Sequence, residues 1–122
     1  MDARSLARLH ALGRLAIGAG LVAAPGVVAG GWVGGLARTP QGQVLAVGFG
    51  ARDVAIALGS LRGVGAGYGA AGWIRAGMLA DAADLVATLK ARDGLPSLAA
   101  PAVALLAGGS IVLGAWLQAA VD

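Results

Sequence analysis

The stretch from Gln41 to Arg62 constrains the fold more than any other part of the chain. It is long and apolar enough to cross a bilayer, and yet it carries two adjacent charges, Arg52 and Asp53, near its middle. A charged side chain at bilayer depth costs about 2.5–3.5 kcal/mol on insertion scales. The stretch therefore needs partners of opposite charge from elsewhere in the chain.

The composition also indicates a membrane protein. Of the 122 residues, 58% are hydrophobic and only 12% are charged, whereas average soluble domains carry about 25% charged residues. Most of the apolar residues are small, which lets helices approach closely in lipid. The basic residues lie mostly at the ends of apolar segments, so the net charge of +3 indicates membrane topology rather than nucleic-acid binding.

Four apolar segments are predicted to be spanning helices, because each approaches the roughly 20 mostly apolar residues that a bilayer requires. They run over about residues 9–28, 41–62, 70–89 and 96–121. We therefore expect an all-α fold, a four-transmembrane-helix bundle that forms one domain over residues 1–122. Pro25-Gly26 is expected to end the first helix, and the glycines that follow to form a loose connection. The Lys and Arg residues of the short loops favour cytoplasmic termini.

The third segment is the least hydrophobic of the four and has two predicted placements. It either spans the membrane or lies flat at the interface as an amphipathic helix. In the flat placement Asp81 and Asp84 would be solvated, and Arg52 would lose its partners. We therefore favour the spanning placement.

Three cations and three anions are predicted at membrane depth, and their equal number indicates mutual neutralisation. Left unpaired, they would cost on the order of 15–20 kcal/mol, more than the whole stability of a small domain. The predicted network consists of Arg14, Arg52, Asp53, Arg75, Asp81 and Asp84.

The pairs within this network can be predicted from the helix on which each residue lies. Arg52 is expected to pair with an Asp of the third segment, and Asp53 with an Arg of the first or third segment. Arg52 and Asp53 lie about 100° apart around their helix, so they are not expected to face each other.

Two functions remain open for the network. It could fix helix register in a non-enzymatic accessory or oligomeric membrane subunit, or it could line the polar path of a small transporter or a proton- or ion-coupled carrier. We favour the first function, because equal numbers of Arg and Asp can neutralise one another and leave no free titrating group.

Other chemistry finds little support in the sequence. There is no Cys, and the single His10 cannot build a metal site alone. Gly67, Gly69 and Gly72 match the spacing G-x-G-x-x-G, but no strand precedes them, so a turn is expected. We expect no enzyme activity, cofactor, metal or nucleic-acid partner. The expected partners are the lipid bilayer and either a second copy of the chain or another membrane subunit.

The order of these motifs resembles that of a known group of proteins. The motifs are Arg14-x3-Gly18, Gly50-Ala51-Arg52-Asp53 with Gly59, and Arg75-Ala76-Gly77 followed by Asp81 and Asp84. They resemble small bacterial four-helix integral membrane proteins of unknown function with a Gly-x-Arg-Asp core, loosely grouped with DoxX-like proteins. The resemblance covers nearly the whole chain. It implies a four-helix fold in the bacterial plasma membrane and no catalytic residue.

Overall fold

The computed structural model of the protein describes all residues from Met1 to Asp122 and contains helices but no strand. Four helices are long, namely α1 (Ala3–Ala23), α4 (Pro40–Ala66), α5 (Ala70–Ala91) and α6 (Ala99–Ala120). Two short helices, α2 (Pro25–Val28) and α3 (Gly30–Val33), lie between α1 and α4. The predicted all-α class is confirmed.

Three of the long helices, α1, α4 and α6, are long and apolar enough to cross a membrane. Helix α5 has the same length as α6, 22 residues, but its charged residues leave it outside this group. Length and composition thus support three of the four predicted spans.

Helix α1 begins earlier than the sequence predicts, at Ala3 rather than near residue 9, because Asp2 caps it. Asp2 Oδ1 accepts a hydrogen bond from the backbone N–H of Ser5 at 2.7 Å. This bond lowers the pKa of the Asp2 carboxyl below its ordinary value, since it stabilises the charged form. The helix ends at Ala23, just before Pro25, as predicted.

The connection between α1 and α4 is more ordered than the predicted loose loop. It forms α2 and α3, and a 3₁₀ turn follows over Gly34–Arg38. Ala29 and Ala37 of this connection are buried against Leu21 of α1 and Ala46 of α4. Apolar burial against the long helices therefore orders a segment whose glycines alone would favour disorder.

A tight turn joins α4 to α5. Gly67 and Gly69 both have a φ of 84°, a left-handed conformation that favours glycine. The predicted turn at the G-x-G-x-x-G spacing is confirmed. The Asp122 carboxylate accepts hydrogen bonds at 3.1–3.2 Å from the N–H groups of Gly69, Ala70 and Ala71, and so supplies the cap that the start of α5 lacks.

The long helices pack in two pairs. Helix α1 packs mainly on α4, α5 packs mainly on α6, and contacts between α4 and α5 join the pairs, whereas α1 and α6 touch little. The α1–α4 crossing depends on two glycines. A Cβ atom on Gly50 would lie 2.6 Å from the Gly18 carbonyl oxygen, and one on Gly18 would lie 2.8 Å from the Gly50 carbonyl oxygen. Only glycine allows this approach.

The bundle has two halves of different character. The half that holds the chain termini and the α4–α5 turn, here called the terminal half, is filled by a cluster of buried apolar side chains. The cluster comprises Ala7, Val64, Ala70, Ile74, Leu117 and Val121. The other half, here called the loop half, holds the α1–α4 and α5–α6 connections. The loop half contains a cavity.

Candidate functional site

Five charged side chains meet where the two halves join. Each comes from near the centre of a long helix, so the packing of α1, α4 and α5 brings them to one level of the bundle. We call them the central charged group: Arg14, Arg52, Asp53, Asp81 and Asp84.

Arg14 of α1 links three helices. Its Nη1 donates to Asp53 Oδ1 of α4 at 3.2 Å, and its Nη2 donates to Asp81 Oδ2 of α5 at 2.5 Å. Its guanidinium lies against Gly77, where an added Cβ would come within 3.1 Å of Nη2. The Arg14 side chain is only 9% exposed. Gly77 therefore makes the room that a buried guanidinium needs.

Arg52 binds Asp84 with two parallel hydrogen bonds. Nη1 lies 3.0 Å from Asp84 Oδ1, and Nη2 lies 2.6 Å from Asp84 Oδ2, a bidentate geometry that only Arg provides. Its Cζ also lies 5.2 Å from the centre of the Phe49 ring, a cation–π distance.

The prediction that Arg52 and Asp53 do not face each other is wrong. Arg52 Nη2 lies 3.3 Å from Asp53 Oδ1. The flexible stem of Arg52 lets its guanidinium swing around the helix, so the angle between Cα positions does not limit its reach.

The sixth residue of the predicted network, Arg75, is not brought into the group. Its Nε donates to Gln118 Oε1 at 2.6 Å, and its side chain is exposed. Arg75 lies in the second turn of α5, close to the end of the bundle. The group therefore holds two guanidiniums and three carboxylates, and it is not neutral as the sequence suggests.

Two polar residues that the sequence analysis did not place in the network extend it to α6. Ser110 Oγ lies 2.8 Å from His10 Nε2 and accepts a hydrogen bond from Arg14 Nη2 at 3.3 Å. His10 precedes Arg14 by four residues and so shares its helix face, which is the signal in the sequence that could have found it. Ser110 carries no such signal, because its position depends on how α6 packs.

A cavity of about 400 Å³ lies in the loop half and ends on the central charged group. Its walls are mostly apolar and come from α1 and α6, including Ile17, Leu21, Val103 and Leu106. Trp32 of α3 lies at its loop end and donates from Nε1 to Thr88 Oγ1 at 2.9 Å. The hydrogen bond fixes α3 to α5 and holds the connection across this end.

The comparisons with known proteins place the chain in no family. No protein-family model matches it, and no curated protein or solved structure is significantly similar to it. The site must therefore be interpreted from its own geometry.

Proposed function

We propose that the protein is a small, non-enzymatic integral membrane protein that crosses the bacterial plasma membrane four times. We further propose that it binds a solute in its cavity and acts as a small carrier. The supporting observation is the cavity that ends on the central charged group. The sequence favours a purely structural network, but the geometry favours the alternative, because the charges border open space and do not balance.

The distribution of residues around α5 supports its placement as the fourth span. Asp81 is 7% exposed on the inner face, whereas Leu79 is 74% exposed and Val86 52% exposed on the outer face. The helix would measure about 33 Å at 1.5 Å per residue, the thickness of a hydrocarbon core. With Asp81 and Asp84 paired inside, and with Arg75 and Lys90 towards the two ends of the helix, the outer surface of the middle of α5 suits lipid.

The location rests on two observations. Three helices have the length and apolar character of membrane spans, and the motif order resembles that of small bacterial four-helix membrane proteins. We infer the bacterial plasma membrane from these together.

A second candidate function is that of an accessory or oligomeric membrane subunit. It is favoured by the outward face of α6, where Leu105 is 77% exposed, Val112 74% and Trp116 54%. Such a face suits either lipid or another apolar helix, and a second copy of the chain or a different subunit could cover it.

Native mass spectrometry of the full chain released from detergent micelles separates the two candidates. We expect wild type to carry a small-molecule adduct that is absent from Ala107→Leu, because Ala107 lines the cavity. The matched control is Ala104→Leu on the exposed face of the same helix, which should keep the adduct. A wild type without an adduct, in a complex with further subunits, would contradict the carrier and favour the subunit.

A further inference from the structure

The central charged group has an uncompensated negative charge. It contains the guanidiniums of Arg14 and Arg52 and three carboxylates, so its formal net charge is −1 when the three carboxylates are ionised and His10 is neutral. An unbalanced charge at membrane depth is costly and calls for a counter-charge. The protein supplies none from Arg75, which is bound to Gln118 outside the group.

The excess charge can be located among the three carboxylates. Asp84 has both oxygens bound by Arg52. Asp53 and Asp81 share Arg14, and Asp81 has no other cationic partner. Asp53 Oδ2 and Asp81 Oδ1 accept no hydrogen bond from the protein, although these residues are 8% and 7% exposed.

These two oxygens are not sealed within the packed protein. No buried side-chain oxygen or nitrogen in the structure lacks a hydrogen-bond partner, so atoms without a protein partner must reach accessible space. Asp53 and Asp81 both line the cavity. Two nearly buried carboxylates therefore present unpartnered oxygens to the same space.

The remaining walls indicate the kind of cation that would fit. The volume of about 400 Å³ is far larger than a metal ion needs, and its lining is mostly apolar. The acidic side chains are not grouped as a set of metal ligands. Such a space suits an organic ion with one positive end and an apolar body.

Resting on the proposed function, we propose that the cavity binds a monovalent organic cation. Its ammonium-type end lies at Asp53 Oδ2 and Asp81 Oδ1, and its apolar body lies between α1 and α6. Bound there, the ligand brings the central charged group to neutrality, and its apolar body covers Ile17 and Leu106.

Isothermal titration calorimetry of the full chain in detergent micelles tests this assignment with three probes of similar size. The probes are benzyltrimethylammonium, uncharged benzyl alcohol and anionic benzoate, each corrected for partition into empty micelles. We expect benzyltrimethylammonium to bind at least about tenfold more tightly than the other two.

Two variants with matched controls connect the binding to the site. Asp81→Asn should weaken cation binding at least about tenfold, while Asp93→Asn, in the exposed α5–α6 connection, should not change it. Ala107→Leu fills the cavity without altering a charge and should also abolish binding, whereas Ala104→Leu should not. Helix content and tryptophan fluorescence show whether each variant is folded. If Asp81→Asn does not fold, Ala107→Leu tests whether the cation binds in the cavity.

Three results would overturn the inference. If benzoate binds as tightly as the cation, the cavity binds solutes but does not select a positive charge. The same conclusion follows if a folded Asp81→Asn protein binds the cation with wild-type affinity. Failure of all three probes would also reject it. In that case an adduct in the native mass spectrum would show that the cavity takes another class of solute, and a missing adduct would reject the proposed function as well.

Discussion

The terminal half and the loop half are built from the same four helices but fill the space between them differently. In the terminal half Leu117 of α6 and Val121, the residue just after the end of α6, are 0% and 3% exposed, and the helices close on them. In the loop half α6 presents mostly small side chains, including Ala99, Ala102 and Ala107. Alanine side chains are too small to fill the space beside α1, so the cavity remains open.

This difference shows how a short chain can combine stability with an open site. Packing in the terminal half holds the four helices together, so the loop half need not close. The central charged group lies at the boundary, where its ion pairs join α1, α4 and α5 and its free oxygens face the cavity. The following predictions test the separation of these roles.

The largest loss of stability should come from Arg14→Gln. Removing Arg14 leaves Asp81 without a cationic partner, and breaking a buried pair costs about 3–5 kcal/mol. The control is Arg75→Gln, which removes an exposed side chain bonded to Gln118 and should cost about 0–1 kcal/mol. The measurement is the free energy of unfolding in mixed micelles. Equal losses of stability in the two variants would contradict the assignment of Arg75 outside the central charged group.

A slightly smaller effect should separate the two halves directly. Leu117→Ala empties a filled position and should cost about 2–5 kcal/mol. Leu106→Ala, on the cavity wall and 62% exposed, should cost less than about 1 kcal/mol, because no close packing is lost there. Thermal unfolding followed by circular dichroism compares them. A larger loss at Leu106 would show that the loop half is packed too.

The contact between α1 and α4 should be sensitive to one methyl group. Gly50→Ala drives Cβ against the Gly18 carbonyl oxygen and should cost about 1–3 kcal/mol. Gly48→Ala, two residues earlier with no atom within 4 Å of the new Cβ, should be neutral or stabilise the helix by up to about 1 kcal/mol. Unfolding in mixed micelles measures both, and a tolerant Gly50 would contradict the close crossing.

The sequence was enough to predict the helical class, the turn at Gly67 and Gly69, and the pairing of Arg52 with an Asp of α5. A buried charge needs a partner of opposite sign, which leaves few alternatives for Arg52 and explains why its pairing could be predicted. Arg75 was misplaced because the equal number of cations and anions favoured a neutral network that included it. Its position near the start of α5 lets the side chain reach the end of the bundle.

Other parts of the site could not be predicted from the sequence. The cavity depends on how α1 and α6 are placed relative to each other, which no local sequence pattern encodes. Ser110 joins the network only because α6 turns it towards Arg14. The order of α2 and α3 depends on burial of Ala29 and Ala37, which requires the packed long helices.

The smallest effect should come from the bond that fixes α3. In the wild type the ring centroids of Trp32 and Phe49 lie 5.7 Å apart. Trp32→Phe keeps a ring near Phe49 but removes the hydrogen-bond donor to Thr88 Oγ1. We expect a loss of about 1 kcal/mol. Trp116→Phe, on the outward face of α6, should have almost no effect. Chemical denaturation of both variants checks this, and equal stabilities would mean that the bond does not hold α3.

The most direct test of the cavity is the reactivity of single cysteines, which the chain allows because it has none of its own. Val103→Cys would lie on the cavity wall, and Leu105→Cys would lie on the outward face of α6, where Leu105 is 77% exposed. A positively charged, membrane-impermeant thiol reagent is added to cells that carry the protein. We predict rapid labelling at residue 103, from one side of the membrane, and almost none at residue 105. Equal labelling at both positions, or labelling at residue 105 alone, would contradict a hydrated cavity inside a lipid-embedded bundle.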